Sequence, residues 1–169
     1  MKIIEVGASM TTQEIMKSAK PISSQFNDAW PELPEEALTG LPGEIVKTID
    51  PYTEADPIGV LAHILAGFGN LIGPVPHFRV EFDHHSLRIN PVLVGQTSKG
   101  RKGQSWSTPR YMLSEVDPTW KDCITSGLSS GEGLIYAVRD PGQDDPGASD
   151  KRLFVVEQEF AQALKVMRR

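Results

Sequence analysis

The chain has 169 residues, 39% of them hydrophobic, and a formal net charge of −5. That apolar content is enough for one buried core, and the acidic balance excludes a protein that coats nucleic acid by bulk charge. A single cysteine, Cys123, excludes an internal disulfide framework and points to a reducing compartment. The N-terminus shows no signal-like apolar stretch, and no apolar run approaches the roughly 18–20 residues that span a bilayer, so a soluble, cytoplasmic protein without membrane contact is expected.

Residues 1–37 lack sustained periodicity and read as an N-terminal arm, partly irregular. MKIIEV suits a short strand and 12–20 a short helix, before Pro21, Pro31 and Pro34 interrupt regular structure. The extended stretch around Trp30 and Leu33 is expected to pack on the rest of the chain. A short helix over 41–49 follows, with Ile45, Val46 and Ile49 at helical spacing.

The strongest helical signal starts at Asp56, a capping residue followed by Pro57, and stops at Gly73-Pro74. Leu61, Ile64, Leu65, Phe68, Leu71 and Ile72 form its expected buried face, while Gly67 and Gly69 admit close approach of another backbone. His63 is expected at the helix surface or boundary. Phe78, Val80 and Phe82 then alternate with Arg79 and Glu81 as a half-buried strand, with a turn at 83–86 and a return strand through Leu87, Ile89 and 91–94. His77, Glu81, Asp83, His84 and His85 are metal-ligating types, but adjacent histidines in an extended chain face opposite ways, and a polar hairpin tip is the preferred reading.

The chemistry concentrates in PVLVGQTSKGRKGQS, residues 91–105. An apolar strand feeding a glycine-punctuated basic turn, with a helix behind it, is how a P-loop wraps backbone N–H groups around a phosphate. Gly95 and Gly100 keep the spacing of G-x-x-x-x-G-K-[ST]. Arg101 then takes the lysine position, Lys102 comes one place late, and the hydroxyl arrives at Ser105. A helix over 106–116 is expected, with Pro109 forcing either a late start capped by Thr108 or a distorted first turn.

Further on, 123–125 reads as a short strand, 126–133 (SGLSSGEG) as a small-residue loop, 134–138 as a helix, and 139–152 as a mobile acidic loop. LFVV at 153–156 is a second continuous apolar strand, delivering Glu157 at its end. A carboxylate there suits Mg²⁺ beside a phosphate site, provided 153–156 lies next to 91–94 in one parallel sheet. The expected fold is therefore α/β, with a helical segment and a β-hairpin preceding a three-layer core.

Several stretches together resemble a family of bacterial, phage and plasmid P-loop proteins described as primase/helicase-like ATPases, often found beside a primase-polymerase module. They are LTGLPGEIVKTIDPYTEADPIGVLAHILAGFGNLIG, HFRVEFD, VLVGQTSKGRKGQSW, SGLSSGEGLIYAVRD and DKRLFVVEQEFAQALKVMRR. The resemblance runs from about 38 to 167 and implies a P-loop NTPase-like, RecA-like or AAA-like core with ATP and Mg²⁺ at the C-terminal edge of a parallel sheet. By position, Gly95, Thr97, Ser98, Lys99, Gly100, Arg101, Lys102 and Gly103 would wrap the phosphates, with Gln104 where a hydroxyl residue is usual. Ser105 and Glu157 would serve the metal, and Glu159 or Glu132 would orient the attacking water.

The chain ends at Arg169, before the further strands, polar sensor and arginine that such a core needs. A partial domain over 38–169 is thus expected, with a truncated sheet whose uncovered edge favours self-association, and with DNA as a partner of the complete protein. Two other readings stay open. One is a nucleotide- or anion-binding module without turnover; the other is a protein-interaction domain in which 95–105 is a solvated basic turn.

Overall fold

The computed structural model describes residues 32–94, 103–127, 130–159, 161 and 164. The chain divides into two compact units, Met1–Glu32 and Leu33–Arg169. The strand expected in MKIIEV, the helix over 12–20 and Trp30 lie outside the described residues. The second unit is a mixed α/β structure with four α-helices and two small sheets among the described residues.

Helix α1 (Gly40–Ile49) and helix α2 (Pro57–Leu71) form the first cluster. The Asp56 carboxylate accepts the Ile58 N–H at 2.8 Å, satisfying one of the donors that open α2. Pro57 occupies the first helical position, where its missing N–H costs nothing. Gly73, at φ +74°, turns the chain out at the far end. Val46, Ala55, Val60 and Ile64 are buried together, with Leu38, Ile45, Ile49 and Leu61 packed against them. Leu38 thus joins 33–39 to this core.

The buried face of α2 differs from the expected apolar stripe. Leu65 and Phe68 are 41% and 49% exposed, whereas Gly59, Ala66, Gly67 and Gly69 are buried. The reason is close packing on more than one side: small residues let neighbouring elements approach the helix axis, and the bulky ones stay outside. At Gly69 the approach is by backbone, as the sequence suggested, since a Cβ there would lie 2.0 Å from the Leu87 carbonyl oxygen.

Strands β1 (His77–Val80) and β2 (Asp83–Ser86) pair antiparallel, Val80 opposite Asp83 and His77 opposite Ser86. This corrects the reading of 83–86 as the turn: those residues are the return strand, and 81–82 make the turn. Glu81 takes φ +52° there, a positive value of the kind two-residue hairpin loops require. Since a left-handed L-residue is strained by about 1–2 kcal/mol, Glu81→Asn is expected to raise stability by about 0.5–1 kcal/mol, read as a higher urea midpoint. A lower midpoint would contradict this account of the turn. The imidazoles of His77 and His84 stack with centroids 4.2 Å apart.

The strand expected over 87–94 does not form. Residues 87–94 carry no strand pairing, and Val92 and Val94 are 63% and 74% exposed. Pro91 has no N–H to give a ladder, and the chain next to Leu87 is held against α2 instead.

Helix α3 (Gln104–Val116) begins earlier than expected and runs through Pro109, which is almost fully buried. Thr108 is not its cap. Pro109 cannot donate to the Ser105 carbonyl, and burial of its ring in the core offsets that loss. A tight turn over Trp120–Cys123 then leads to β3 (Ile124–Thr125). Helix α4 (Gly131–Ala137) starts three residues before the expected 134, because the Ser130 hydroxyl accepts the Gly133 N–H at 3.1 Å and caps it.

Strand β4 (Phe154–Val155) pairs parallel with β3, Ile124 beside Phe154 and Thr125 beside Val155. The Val156 N–H extends the ladder to the Thr125 carbonyl at 2.9 Å. The partner of 153–156 is therefore 124–125, and not 91–94 as expected. Ile124, Phe154 and Val156 pack on Trp106, Leu113, Trp120 and Cys123, between the sheet and α3. On the α4 side, Thr125 and Leu153 share a cavity of about 150 Å³ with Leu134 and Ala137.

The acidic segment 139–152, expected to be mobile, carries many bonds of its own. Arg139 forks onto Asp145, the Ala148 N–H returns to the Arg139 carbonyl at 2.9 Å, and Lys151 reaches the Val138 carbonyl at 3.0 Å. It ends at Arg152, which is tied into the core.

Candidate functional site

Most of the sequence-predicted phosphate cradle (Gly95, Thr97, Ser98, Lys99, Gly100, Arg101 and Lys102) lies outside the described residues. The structure places what flanks it. Gly103 has helical angles (φ −64°, ψ −33°) and leads into α3, where Gln104 is exposed.

Ser105 is 1% exposed and sits against Gly59 of α2, with its hydroxyl 3.3 Å from His63 Nδ1. The same ring nitrogen lies 2.7 Å from the Gly59 carbonyl. A carbonyl only accepts, so Nδ1 carries the proton and donates to Gly59, which leaves it no lone pair for the serine. Ser105 and His63 are thus not an activated nucleophile and base. Burial lowers the His63 pKa, partly countered by the bond to Gly59, so the ring is neutral at pH 7.

Trp106 connects this corner to the parallel sheet. Its ring stacks on Phe154 of β4 with centroids 5.2 Å apart and planes 26° apart, and it lies 5.3 Å from the His63 ring. Phe154 is three residues before Glu157 in the chain, and Trp106 is four after Lys102. One aromatic contact therefore sits at the root of both the basic segment and the acid-bearing one. Glu157 is half-buried just past β4; Glu159 and Glu132 are exposed, the latter in the first turn of α4. Glu157 is a fitting donor for Mg²⁺ in chemistry and in its place at a strand end.

Behind this edge lies a polar lock. Arg152, with its side chain 18% exposed, donates to Asp150, to Asp117 Oδ2 at 2.7 Å and to the Leu71 carbonyl at 2.8 Å. It thereby joins the strand segment to the ends of α2 and α3. Hydrogen bonds from Thr119 and Arg152 hold the Asp117 pKa down to about 2, and Arg152 holds Asp150 well below the usual carboxylate range. Burial, with the Asp150 carboxylate beside it, pushes the Cys123 thiol up to about 11, so the thiol is un-ionised and donates to Asp150 at 3.2 Å.

Gly59, Asn70, Asp117 and Arg152 were not singled out from the sequence, while His63, expected at the helix surface or boundary, is half-buried. The one local signal was the four-residue spacing of Gly59 and His63, which puts both on one side of α2. Among the described residues no three His, Cys, Asp or Glu side chains converge as a metal site, and no helix is long and apolar enough to cross a membrane. No family model, no curated protein and no solved structure matches this chain.

Proposed function

We propose that this chain is an ATP-binding, ATPase-type domain, or part of one, from a cytoplasmic DNA replication protein of the mobile-element kind. One observation supports the reading above the others: the Trp106–Phe154 stack roots the basic, glycine-rich segment and the strand leading to Glu157 at one point. The parallel β3–α4–β4 unit is consistent with it, because α/β sheets bind ligands beyond the carboxyl ends of their strands. In this reading Lys102 or Lys99 neutralises the β- and γ-phosphates, Glu157 holds Mg²⁺, and Glu159 or Glu132 orients water. DNA and further copies of the chain are partners of the complete assembly.

A second reading, a nucleotide- or anion-binding module without turnover, is favoured by the orientation of Ser105, whose hydroxyl lies at His63 under α2.

Binding of a fluorescent ATP analogue is expected at micromolar affinity at best, and Lys102→Ala is expected to weaken it by about tenfold or more. Binding by the wild type that neither Lys102→Ala nor Lys99→Ala weakens would sink both readings. Magnesium-dependent phosphate release, slow in the wild type and abolished in Glu157→Gln, separates the ATPase from the binding module.

A further inference from the structure

Both faces of the β1–β2 hairpin are open to solvent: every residue of its two strands is exposed except Ser86, which is half-buried. In an antiparallel ribbon paired residues share a face and successive residues alternate. The register therefore puts His77, Arg79, His84 and Ser86 on one face, and Phe78, Val80, Asp83 and His85 on the other. Arg88 joins the first face, because its Nε donates to the Ser86 hydroxyl at 2.9 Å. That face carries two arginines and two imidazoles and no carboxylate of the hairpin. Asp83 lies on the opposite side and Glu81 in the turn.

The two arginines differ from Arg139 and Arg152, whose guanidiniums are held by aspartates. Among the described residues neither Arg79 nor Arg88 pairs with a carboxylate. Arg79 gives its Nε hydrogen to the Glu81 carbonyl at 2.8 Å, and a guanidinium has four more to give. Along the same face the His77 and His84 rings stack with planes 24° apart, His77 being fixed through Nδ1 by the Val75 carbonyl at 2.7 Å.

We propose that this face is a binding surface for single-stranded nucleic acid, the two guanidiniums taking backbone phosphates and the exposed rings taking bases. A row of cations clear of carboxylates fits a regularly spaced polyanion, and arginine matches a phosphate with paired N–H groups. Flat rings suit unpaired bases, which offer a π-face whatever their sequence. Phe82 adds such a ring at the turn, 89% exposed. A four-residue strand runs about 14 Å, the reach of a few nucleotides. The choice of biological partner rests on the replication reading above; the surface itself rests on the hairpin alone.

Fluorescence anisotropy of a labelled single-stranded DNA of about 15 nucleotides tests it, with the ATP analogue titrated in parallel. A Kd of roughly 1–100 µM is expected at low salt. Arg79→Gln and Arg88→Gln are each expected to weaken binding about fivefold at about 0.1 M salt. Each is also expected to flatten the slope of log K against log salt by about 0.7, the value for one lost phosphate contact on a single strand. Arg79→Lys keeps the charge without the bond to the Glu81 carbonyl, and is expected to keep the slope. His84→Ala, which takes one ring from the stack, is expected to weaken binding by about fivefold. Lys121→Gln removes an exposed charge elsewhere and is expected to change nothing.

No binding by the wild type would overturn the proposal, as would binding that Arg79→Gln and Arg88→Gln leave unchanged or that Lys121→Gln weakens as much. Equal affinity for a duplex of the same length, or preference for phosphatidylserine vesicles over the oligonucleotide, would also overturn it. If the oligonucleotide binds as expected while the ATP analogue does not bind, the surface stands and the ATP reading falls. The reverse result removes the surface and leaves the ATP reading in place.

Discussion

Trp120→Ala is expected to destabilise the second unit by about 3–5 kcal/mol, a large share of the roughly 5–15 kcal/mol that holds a domain together. Trp120 is 0% exposed, with Phe154 at 5.6 Å and Trp106 at 6.3 Å between ring centroids. Removing it opens a cavity between α3 and the parallel sheet. It also removes a hydrogen bond: the indole N–H donates to Asn70 Oδ1 at 2.9 Å, while Asn70 Nδ2 donates to the Leu153 carbonyl at 3.0 Å. Trp120 and Asn70 together pin the end of α2 to the approach of β4.

The two contributions separate with a second variant. Trp120→Phe keeps most of the apolar area but leaves Asn70 Oδ1 without its donor, at an expected cost of about 1–3 kcal/mol. Urea unfolding followed by far-UV circular dichroism reads both. A cost of about 1 kcal/mol or less for Trp120→Ala would mean that this side chain is not the centre of the core.

The second large effect is expected at Arg152. Its guanidinium holds two carboxylates and a helix-terminal carbonyl at once, so Arg152→Gln removes the one cation from Asp150 and Asp117, which keep only their hydrogen bonds from Thr119, Cys123 and the backbone. A lower stability at pH 7 is expected, reduced in size by the solvent exposure of the carboxylates. The pH dependence identifies the cause. Both carboxyls have folded pKa values below their unfolded ones, Asp117 at about 2. Their contribution is therefore complete above the unfolded value of about 3.9 and is lost as pH falls through the folded value.

The stability gap between wild type and Arg152→Gln is thus expected to be constant from pH 7 to about 5 and to narrow progressively as pH falls below about 4. Denaturant midpoints across that range measure it. A gap that stays the same at pH 3 would assign the loss to packing of the arginine stem rather than to its charge.

The legible parts of the fold were those fixed within a few residues. Asp56-Pro57 at one end of α2 and Gly73 at the other are end signals whose mechanism is local, and both stand where the sequence put them. The parallel strand over 154–155 and the short strand at 124–125 were also legible, as apolar runs between polar or small-residue segments. What slipped was register and partnership. The hairpin turn moved from 83–86 to 81–82, since alternation marks a strand but not which residues reverse it. Pro109 suggested a boundary, yet α3 runs through it because the ring is buried.

For the candidate site, the residue types at the loop and at Glu157 were visible in the sequence, but not the long-range contacts of the residues that flank them. Gly59 and His63 contact residues more than thirty positions away, and Arg152 reaches back to Leu71 and Asp117. No local pattern encodes such contacts.

By itself, then, the sequence determined the elements with their caps and breaks, the acidic balance, and the cluster of Lys99, Arg101 and Lys102 among glycines. Those follow from backbone geometry and charge, which act over a turn or two of chain. Only the tertiary structure decided that 154–155 lies beside 124–125, that Trp106 stacks on Phe154, and that Ser105 sits against Gly59 of α2. These depend on which surfaces bury best against each other, and that competition is settled between segments far apart in the chain.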